Sequence, residues 1–566
     1  MDNPYDQLQV SLGHNAIFGR KISLQEITAI IAKYPAFQWL DLAAKIESFL
    51  CIKRDDIPNP QIFLVKNLFP SSTQRRLNGR SADQMLCFSP GQLNFFRKLA
   101  ISYGQNDGSE TEIPIPLADI SKVFLGVQDL HNQFDKLEDS DLEKFSHFAI
   151  RNGYLNGWLD FVSSFCRAGM MCTICGKNVS LKEGKSFAEY FSDRAGMSAE
   201  RVMALSFALA SLFFQKKEQV FWQTTIINPS TYFENLVVEA GEAEAVIQSM
   251  IVDFEDLKKT ILSKVNQDPG EVPIGYDLSP FRKTPLIRLN NGKIVCANLS
   301  CLLEKATQNI FWFSKDQGKN LSKTEAISLT SYRGELFEEY VKELCGIMDN
   351  KNEALSFSYI PSDSTADHEE VGDSILIQGN KMIIIEAKSR QFKEEFKATG
   401  DWKYDDQFEK ELIDKAAKQI QIAAEKIREG KVNNISNLPA NLERIYPVII
   451  TYESIPMHAK IQRLVRQRVK DLGLLTDDIF APLEIIDIND IESALDCANS
   501  HTLIELLAEK HSGDSHASET NFNNFFAHFL GERKVICNGW QADQWKEFCN
   551  KICTPNLIFK EGKSRE

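Results

Sequence analysis

Charged side chains lie at the ends of two apolar runs near residue 380, and their types and spacing suit phosphodiester chemistry. Asp373 precedes the first run, whereas Glu386 and Lys388 end the second. Alternate residues of a β-strand point to one face, so Glu386 and Lys388 share a face. A buried strand has no structural need for a carboxylate and an ammonium there. Carboxylates suit a hard divalent cation such as Mg²⁺, and a neighbouring lysine can stabilise charge on a phosphate.

The elements that must position these residues follow from the apolar pattern. Gly379 and Asn380 separate the two apolar runs, which predicts a β-hairpin with Asp373 and Glu386 on adjacent antiparallel strands. Apolar residues at helical spacing predict two helices, and short apolar runs predict two further strands. These segments are the helices 324–348 and 405–428 and the strands 355–360 and 444–452. The predicted order is therefore α-β-β-β-α-β.

Two further side chains on the predicted helices could take part. Glu335, in the first helix, could complete a second metal site or hold a metal-bound water, and the amide of Gln419 could position a water or a phosphate. Each candidate also has a structural interpretation, since the helix dipole favours a glutamate in the first turns and Gln419 could lie on a solvated helix edge. Asp373 could likewise be a turn residue, and Glu386 with Lys388 a surface ion pair.

These residues, within this order of elements, resemble the PD-(D/E)XK superfamily, the restriction-endonuclease-like nucleases. The matching residues are Glu335, Asp373, Glu386, Lys388 and Gln419. The resemblance covers the core around residues 331–453 and leaves the rest of the chain outside it. Gly372 precedes Asp373 where the family name places a proline, although that proline is frequently absent in the superfamily.

The resemblance implies a hydrolase that cuts phosphodiester bonds of DNA with Mg²⁺, or with Mn²⁺ in its place. It implies that Asp373, Glu386 and Glu335 are metal ligands, and that Lys388 and Gln419 complete the catalytic set. By analogy, a large chain with such a core and without methyltransferase or ATPase motifs suggests bacterial defence against foreign DNA. A homo-oligomer that pairs two cores is expected, together with a protein partner or trigger that the accessory parts recognise.

Two alternatives to this function stay open. The first is a nuclease that acts on RNA or in DNA repair. The motif indicates phosphodiester chemistry, but it does not distinguish RNA from DNA as the substrate. The second is a non-catalytic scaffold with the nuclease fold that binds nucleic acid or protein partners. The complete set of Asp373, Glu386 and Lys388 argues against the scaffold.

Composition and charge describe an ordinary globular protein with an acidic balance. The chain has 566 residues, of which 43% are hydrophobic and 25% are charged, and its formal net charge is −14. The negative balance argues against a large, indiscriminate nucleic-acid surface but allows a local basic strip. The candidates for that strip are Arg390, Lys393, Lys460 and Arg463, with Arg466, Arg468 and Lys470 further along the same predicted helix. An exposed helix face is the alternative interpretation of the helical part of the strip.

The chain is long enough for several units around an α+β or α/β core. The predicted units are a helix-rich domain at 1–170, a helical domain at 171–270, a small hairpin and helix unit at 271–325, the nuclease core at 326–456 and a helical or mixed domain at 457–566. The polar start and the absence of a long apolar run predict a cytoplasmic protein with no membrane partner.

A C-x-x-C-G sequence at Cys172 and Cys175 is the one other motif of chemical interest. Such a turn forms half of a structural Zn²⁺ site, but the spacing of the remaining cysteines gives no second half. The twelve cysteines lie mostly in apolar segments, which favours reduced core residues over a disulfide framework.

Overall fold

The structure is a computed structural model and has a mixed α+β architecture. The residues that it describes are 10–52, 57, 59–77, 85–105, 113–133, 147, 150–151, 153–154, 160–180, 184–214, 225–239, 241–265, 275–316, 323–359, 372–401, 408–432, 435, 437–455, 459–512, 518–533 and 539–558. Within these residues the strands form a two-stranded, a three-stranded and a five-stranded sheet. The broad prediction of an α+β class is confirmed.

The five-stranded sheet carries the candidate residues. The strands of the chain are β1 (Val10–Ser11), β2 (Met85–Leu86), β3 (Ile251–Asp253), β4 (Leu286–Arg288), β5 (Ile294–Cys296), β6 (Ser356–Tyr359), β7 (Ser374–Gln378), β8 (Lys381–Lys388), β9 (Arg444–Thr451) and β10 (Glu484–Asp487). The order in the large sheet is β10-β9-β8-β7-β6. Strands β6, β7 and β8 pair antiparallel, whereas β8, β9 and β10 pair parallel.

Helices surround this sheet and make up the accessory parts. Before the large sheet they are α1 (His14–Phe18), α2 (Leu24–Ile31), α3 (Ala36–Cys51), α4 (Pro60–Leu68), α5 (Ser71–Leu77), α6 (Pro90–Tyr103), α7 (Leu117–Gln133), α8 (Phe161–Met170), α9 (Gly176–Asn178), α10 (Phe187–Ala195), α11 (Ala199–Ala210), α12 (Pro229–Tyr232), α13 (Glu242–Gln248), α14 (Phe254–Val265), α15 (Ser279–Lys283), α16 (Leu299–Ala306), α17 (Ile310–Asp316) and α18 (Lys323–Lys351). Within and after the sheet they are α19 (Glu394–Thr399), α20 (Lys415–Arg428), α21 (Ala459–Asp471), α22 (Ile488–Leu495), α23 (Leu503–Lys510), α24 (Phe522–Arg533), α25 (Trp540–Phe548) and α26 (Thr554–Asn556).

The β7–β8 hairpin has the register that its turn predicts. Gln378 pairs with Lys381, which leaves Gly379 and Asn380 as a two-residue loop. Gly379 has a φ of 60°, a conformation that glycine adopts at the first position of such turns without a steric penalty. The loop therefore fixes which residues of the two strands face each other.

Both faces of the large sheet are covered, which explains why its strands are almost continuously apolar. On one face, Ile383 and Ile385 pack in the same cluster as Leu336 and Phe337 of α18. The opposite face holds residues of β7, β8, α20 and α21, namely Ile375, Ile384, Ala416, Ile420 and Val465. The predicted helix–three strands–helix–strand order is thus present, with a helical layer on each side.

The structure differs from the sequence prediction at several elements of this region. The helix predicted over 405–428 begins as a π-helical segment, Phe408–Asp414, and continues as α20, while residues 402–407 lie outside the described part. Strand β10 was expected in a separate C-terminal unit, but it pairs with β9 as the fifth strand of the sheet. In the same way, β3 lies in a segment expected to be helical and pairs with β4 across the predicted boundary at 270.

The N-terminal helices and the three-stranded sheet share one core. Residues from α2, α3, α6 and α7 cluster with Phe254 of α14, Phe281 of α15 and Ile287 of β4. In the described residues, no single helix has the length and apolar composition to cross a membrane, although the bent pair formed by α10 and the segment 199–214 meets that composition when taken together.

A buried ion pair joins the accessory helices to the large sheet. Arg167 of α8 donates to both carboxylate oxygens of Glu492 in α22, at 2.6 and 2.8 Å. The Tyr340 hydroxyl of α18 donates to the same carboxylate at 2.7 Å. Arg167 and Glu492 are both at most 3% exposed, so each charge depends on the other for its compensation.

We expect Glu492→Gln to lower the free energy of unfolding by about 3–5 kcal/mol, because it leaves the Arg167 guanidinium buried beside a neutral amide. The double variant Arg167→Met with Glu492→Leu should lose less, since both buried charges disappear together. Urea denaturation of the three proteins measures the difference. Equal losses in the single and the double variant would show that the pair is not electrostatically coupled.

Candidate active site

Asp373 and Glu386 lie on neighbouring strands at the open end of the β7–β8 hairpin, as the sequence predicts. The backbone N–H of Asp373 donates to the Ile385 carbonyl at 2.8 Å, which extends the β7–β8 pairing by one residue. The Ala387 N–H then donates to Asp373 Oδ2 at 2.6 Å. The two carboxylates are therefore held on neighbouring strands, and Asp373 is fixed by a backbone donor between Glu386 and Lys388.

Gly372 allows the chain to approach β8 at this point. A Cβ on residue 372 would come within 2.9 Å of Ile384 Cγ2 and 3.2 Å of the Ile385 carbonyl oxygen. It would also lie 3.9 Å from Glu386 Oε2. The position before Asp373 is thus occupied by glycine because a proline, which has a Cβ, would crowd the strand that carries Glu386.

Glu386 is a buried carboxylate with only one oxygen hydrogen-bonded among the described residues. It is 2% exposed, and no described residue donates to its buried Oε2. Burial first, and the negative charge of Asp373 second, raise the pKa of Glu386 to about 8 although Lys388 opposes the shift. Buried carboxylates of this kind are costly and concentrate at functional sites.

Lys388 and Gln419 complete the polar group. Lys388 Nζ contacts Glu386 Oε1 at 2.5 Å and donates to Gln419 Oε1 at 3.2 Å. Burial would lower the pKa of Lys388, but the charge of Glu386 outweighs it and raises that pKa, so the ammonium stays protonated. Gln419 is 8% exposed, which rules out the solvated helix edge considered from the sequence. The structure thus brings Asp373, Glu386, Lys388 and Gln419 together.

Helix α18 carries two exposed glutamates on one face. Partial burial raises the pKa of the predicted Glu335. The charge of Glu338 helps to raise the pKa values of both Glu386 and Lys388, so Glu338 is a second candidate beside Glu335. The two glutamates are three residues apart on one helix face, so helical spacing alone could not distinguish them.

The donors at this position fit a hard divalent cation that keeps part of its hydration. Among the described residues, no group of three or more His, Cys, Asp and Glu side chains is arranged to enclose a metal. Mg²⁺, however, is typically held by one or two carboxylates, with water and substrate phosphate as the remaining ligands. Asp373 and the unpaired Oε2 of Glu386 supply that pair, and a cation would compensate the buried charge that Lys388 satisfies on one side only.

The basic residues proposed for nucleic-acid contact separate into two groups. Arg390 is half-buried and Lys393 is exposed at the start of α19, both shortly after Lys388. On α21, Arg463 pairs with Glu519 at 2.7 Å. Two further ion pairs join Arg466 to Glu484 and Arg468 to Asp414. The helix is therefore largely neutralised within the molecule, and the side chain of Lys460 lies outside the described part.

The C-x-x-C sequence lies inside a helix and not at a turn. Cys172 and Cys175 belong to a π-helical segment, Met171–Cys175, that continues α8 into α9. Both thiols are buried in an apolar cluster, and burial raises both pKa values, that of Cys175 to about 12. Among the described residues, no group of three or more His, Cys, Asp and Glu side chains includes these thiols, so this environment favours reduced core cysteines over the structural Zn²⁺ site.

No family model matches this chain, and neither a curated protein nor a solved structure matches it. What the group of Asp373, Glu386, Lys388 and Gln419 can do must therefore follow from its own chemistry.

We expect Glu386→Gln to stabilise the metal-free protein at alkaline pH. The folded-state pKa of about 8 lies above the ordinary 4.5, so the contribution of Glu386 to stability is fully present below pH 4.5 and is lost as the pH rises through 8. Glutamine does not ionise. Between pH 5 and pH 9, the free energy of unfolding of the variant should therefore rise relative to that of the wild type by roughly 1 kcal/mol or more.

Thermal unfolding in EDTA at both pH values measures this gain, with Glu353→Gln as the control at an exposed site. A difference between Glu386→Gln and wild type that does not change with pH would contradict the buried carboxylate.

Proposed function

We propose that the protein is a nuclease that hydrolyses phosphodiester bonds of DNA with the help of Mg²⁺ or Mn²⁺. The observation that carries this proposal is the pairing of Asp373 with a buried, half-compensated Glu386 on adjacent strands, next to Lys388. A surface ion pair would need neither the burial nor the second carboxylate. The resemblance of these residues and of their element order to the restriction-endonuclease-like nucleases supports the same conclusion.

The chain's own residues have separable roles in this proposal. Asp373 and Glu386 hold the cation, which when bound lowers the pKa of a water and neutralises charge on the phosphate. Lys388 is kept protonated and in place by Glu386, and its ammonium stabilises the charge that develops on the phosphoryl oxygens. Gln419 fixes the direction of Lys388 through its amide oxygen. Glu338 adds negative charge that strengthens the attraction for a cation.

Substrate contact is proposed for the segment that leaves β8. Arg390 and Lys393 follow Lys388 directly, so phosphates on either side of the cut bond can lie along this segment. The ion pairs of Arg463, Arg466 and Arg468 make α21 a weaker candidate, which fits the net charge of −14. Binding through so few cations should be sensitive to salt.

The biological setting is proposed from the architecture. A nuclease site with one set of catalytic residues cuts one strand at a time, so two copies of the chain would act together on duplex DNA. The accessory helices that pack on both sides of the sheet would then recognise a partner or trigger. We place such a protein in the cytoplasm, in bacterial defence against foreign DNA.

Cleavage of supercoiled plasmid DNA with Mg²⁺, with Mn²⁺ and with EDTA tests the activity. We expect Asp373→Asn, Glu386→Gln and Lys388→Met each to lower the rate by ~10²-fold or more, because each removes a metal ligand or the cation on the phosphate. Glu338→Gln should lower it by about 10-fold, and Glu335→Gln should change it by less than about twofold.

Lys381→Met is the matched control for Lys388→Met, because Lys381 lies at the far end of the same strand. Loss of activity in Lys381→Met, or metal-dependent cleavage that survives Glu386→Gln, would contradict the proposed site. The same reactions with RNA in place of DNA show whether the enzyme cleaves ribonucleotide or deoxyribonucleotide chains.

A further inference from the structure

A polar cavity of about 350 Å³ lies at the carboxyl ends of the parallel strands, apart from the candidate active site. Gln391 follows β8 by three residues, Tyr452 directly follows β9, and Asp487 ends β10, and all three line the cavity. Asp373, Glu386 and Lys388 do not line it. Ligands of open sheets bind in the crevice outside the carboxyl ends of parallel strands, and this volume lies in the range of small-molecule sites.

Several distant parts of the chain build the walls of this cavity. Glu47 of α3 and Arg97 of α6 come from the N-terminal helices, and Arg167 comes from α8. Arg282 of α15 and Glu304 of α16 supply another wall. The cavity is therefore a meeting point of the accessory parts and the large sheet, and it is not a gap within one element.

Every cation on the described walls is already compensated by a carboxylate. The pairs are Arg97 with Glu47, Arg167 with Glu492, Arg282 with Glu304 and Lys397 with Glu453. Asp160 and Asp487 add two further acidic residues to the lining. An anionic ligand such as a phosphate would thus meet excess negative charge and find its cationic partners occupied.

Neutral hydrogen-bonding groups, in contrast, remain available. Gln308 and Gln391 are half-buried in the lining, and no hydrogen bond from either amide side chain is present within the described residues. Arg97 Nε, on a guanidinium that is paired with Glu47, has no hydrogen-bond partner among the described residues.

We propose that this cavity binds an uncharged ligand of nucleoside size. Its amides offer paired donors and acceptors of the kind that recognise the edges of nucleobases. The half-buried Tyr154 of the lining supplies an aromatic ring suited to a planar ligand. The paired cations exclude a phosphorylated form as the preferred ligand.

A ligand here would act on the strand that carries the catalytic lysine. The Tyr452 N–H donates to the Lys388 carbonyl at 3.1 Å. Glu453 accepts from the Phe392 N–H at 2.8 Å and pairs with Lys397 at 2.5 Å, so the same wall holds the segment that follows Lys388. An effect of the ligand on cleavage rests on the nuclease function proposed above, whereas binding itself does not.

Isothermal titration calorimetry of the full chain with adenosine, guanosine, cytidine and uridine, without metal or DNA, tests the proposal. We expect at least one nucleoside to bind, and its 5′-monophosphate to bind about 10-fold more weakly or worse. Gln308→Leu and Gln391→Leu should each weaken the nucleoside by about 10-fold, because each removes an amide that the ligand pairs with. Gln25→Leu, at an exposed site on α2, is the matched control and should bind as wild type does.

Four results would overturn the proposal. These are the absence of binding by all four nucleosides at millimolar concentration, tighter binding of the monophosphate, unchanged affinity in both glutamine variants, and binding of sucrose in place of every nucleoside. Because calorimetry is carried out without DNA, failure of the nuclease assay leaves this result interpretable, and failure here leaves the nuclease proposal standing.

Discussion

Glu386 places a buried carboxyl group at the point where β8 leaves the sheet, and the surrounding structure must compensate its negative charge whenever the group ionises. Lys388 satisfies one oxygen, and Asp373 on the neighbouring strand adds repulsion. The other oxygen has no hydrogen-bond partner within the described part of the chain. A position so unfavourable persists only where the rest of the fold fixes it. Here β8 is paired on both edges and packed on both faces, so the carboxylate cannot relax towards water.

Buried ion pairs also attach the accessory helices to the elements around β8. Arg167 and Glu492 tie α8 to the helix that follows β10. Arg282 pairs with Glu394 of α19 and so reaches the segment after Lys388 from the side of the N-terminal parts. The polar cavity and the candidate active site therefore both adjoin the carboxyl end of β8.

Local features of the sequence predicted the centre of this arrangement. The apolar runs, the Gly379 turn and the two-residue period of a strand suffice to place Asp373 beside Glu386, and helical spacing suffices to bring Gln419 to the same face. Features that depend on contacts between distant parts of the chain could not be predicted. The pairing of β10 with β9 joins strands that α21 separates in the sequence, and the effect of Glu338 on the pKa values of Glu386 and Lys388 depends on how α18 lies against the sheet. The neutralisation of Arg463 by Glu519 joins residues that no local pattern connects.

Chemistry that depends on burial was equally hidden from the sequence. The C-x-x-C spacing is the same in a metal-binding turn and in the π-helical segment where Cys172 and Cys175 lie, and only the packing around the thiols separates the two. The cavity could not be predicted from the sequence either, because its walls come from α3, α6, α8, α15 and α16 as well as from the sheet.

Asp373 and Glu386 are proposed to hold a divalent cation together, and a direct titration with Mn²⁺ tests this pairing most closely. Calorimetry on the wild-type chain in the absence of DNA should show a Mn²⁺ site that Asp373→Asn and Glu386→Gln each remove, while Lys381→Met keeps it. Equal Mn²⁺ binding by the wild type and both carboxylate variants would place the metal elsewhere and contradict the account.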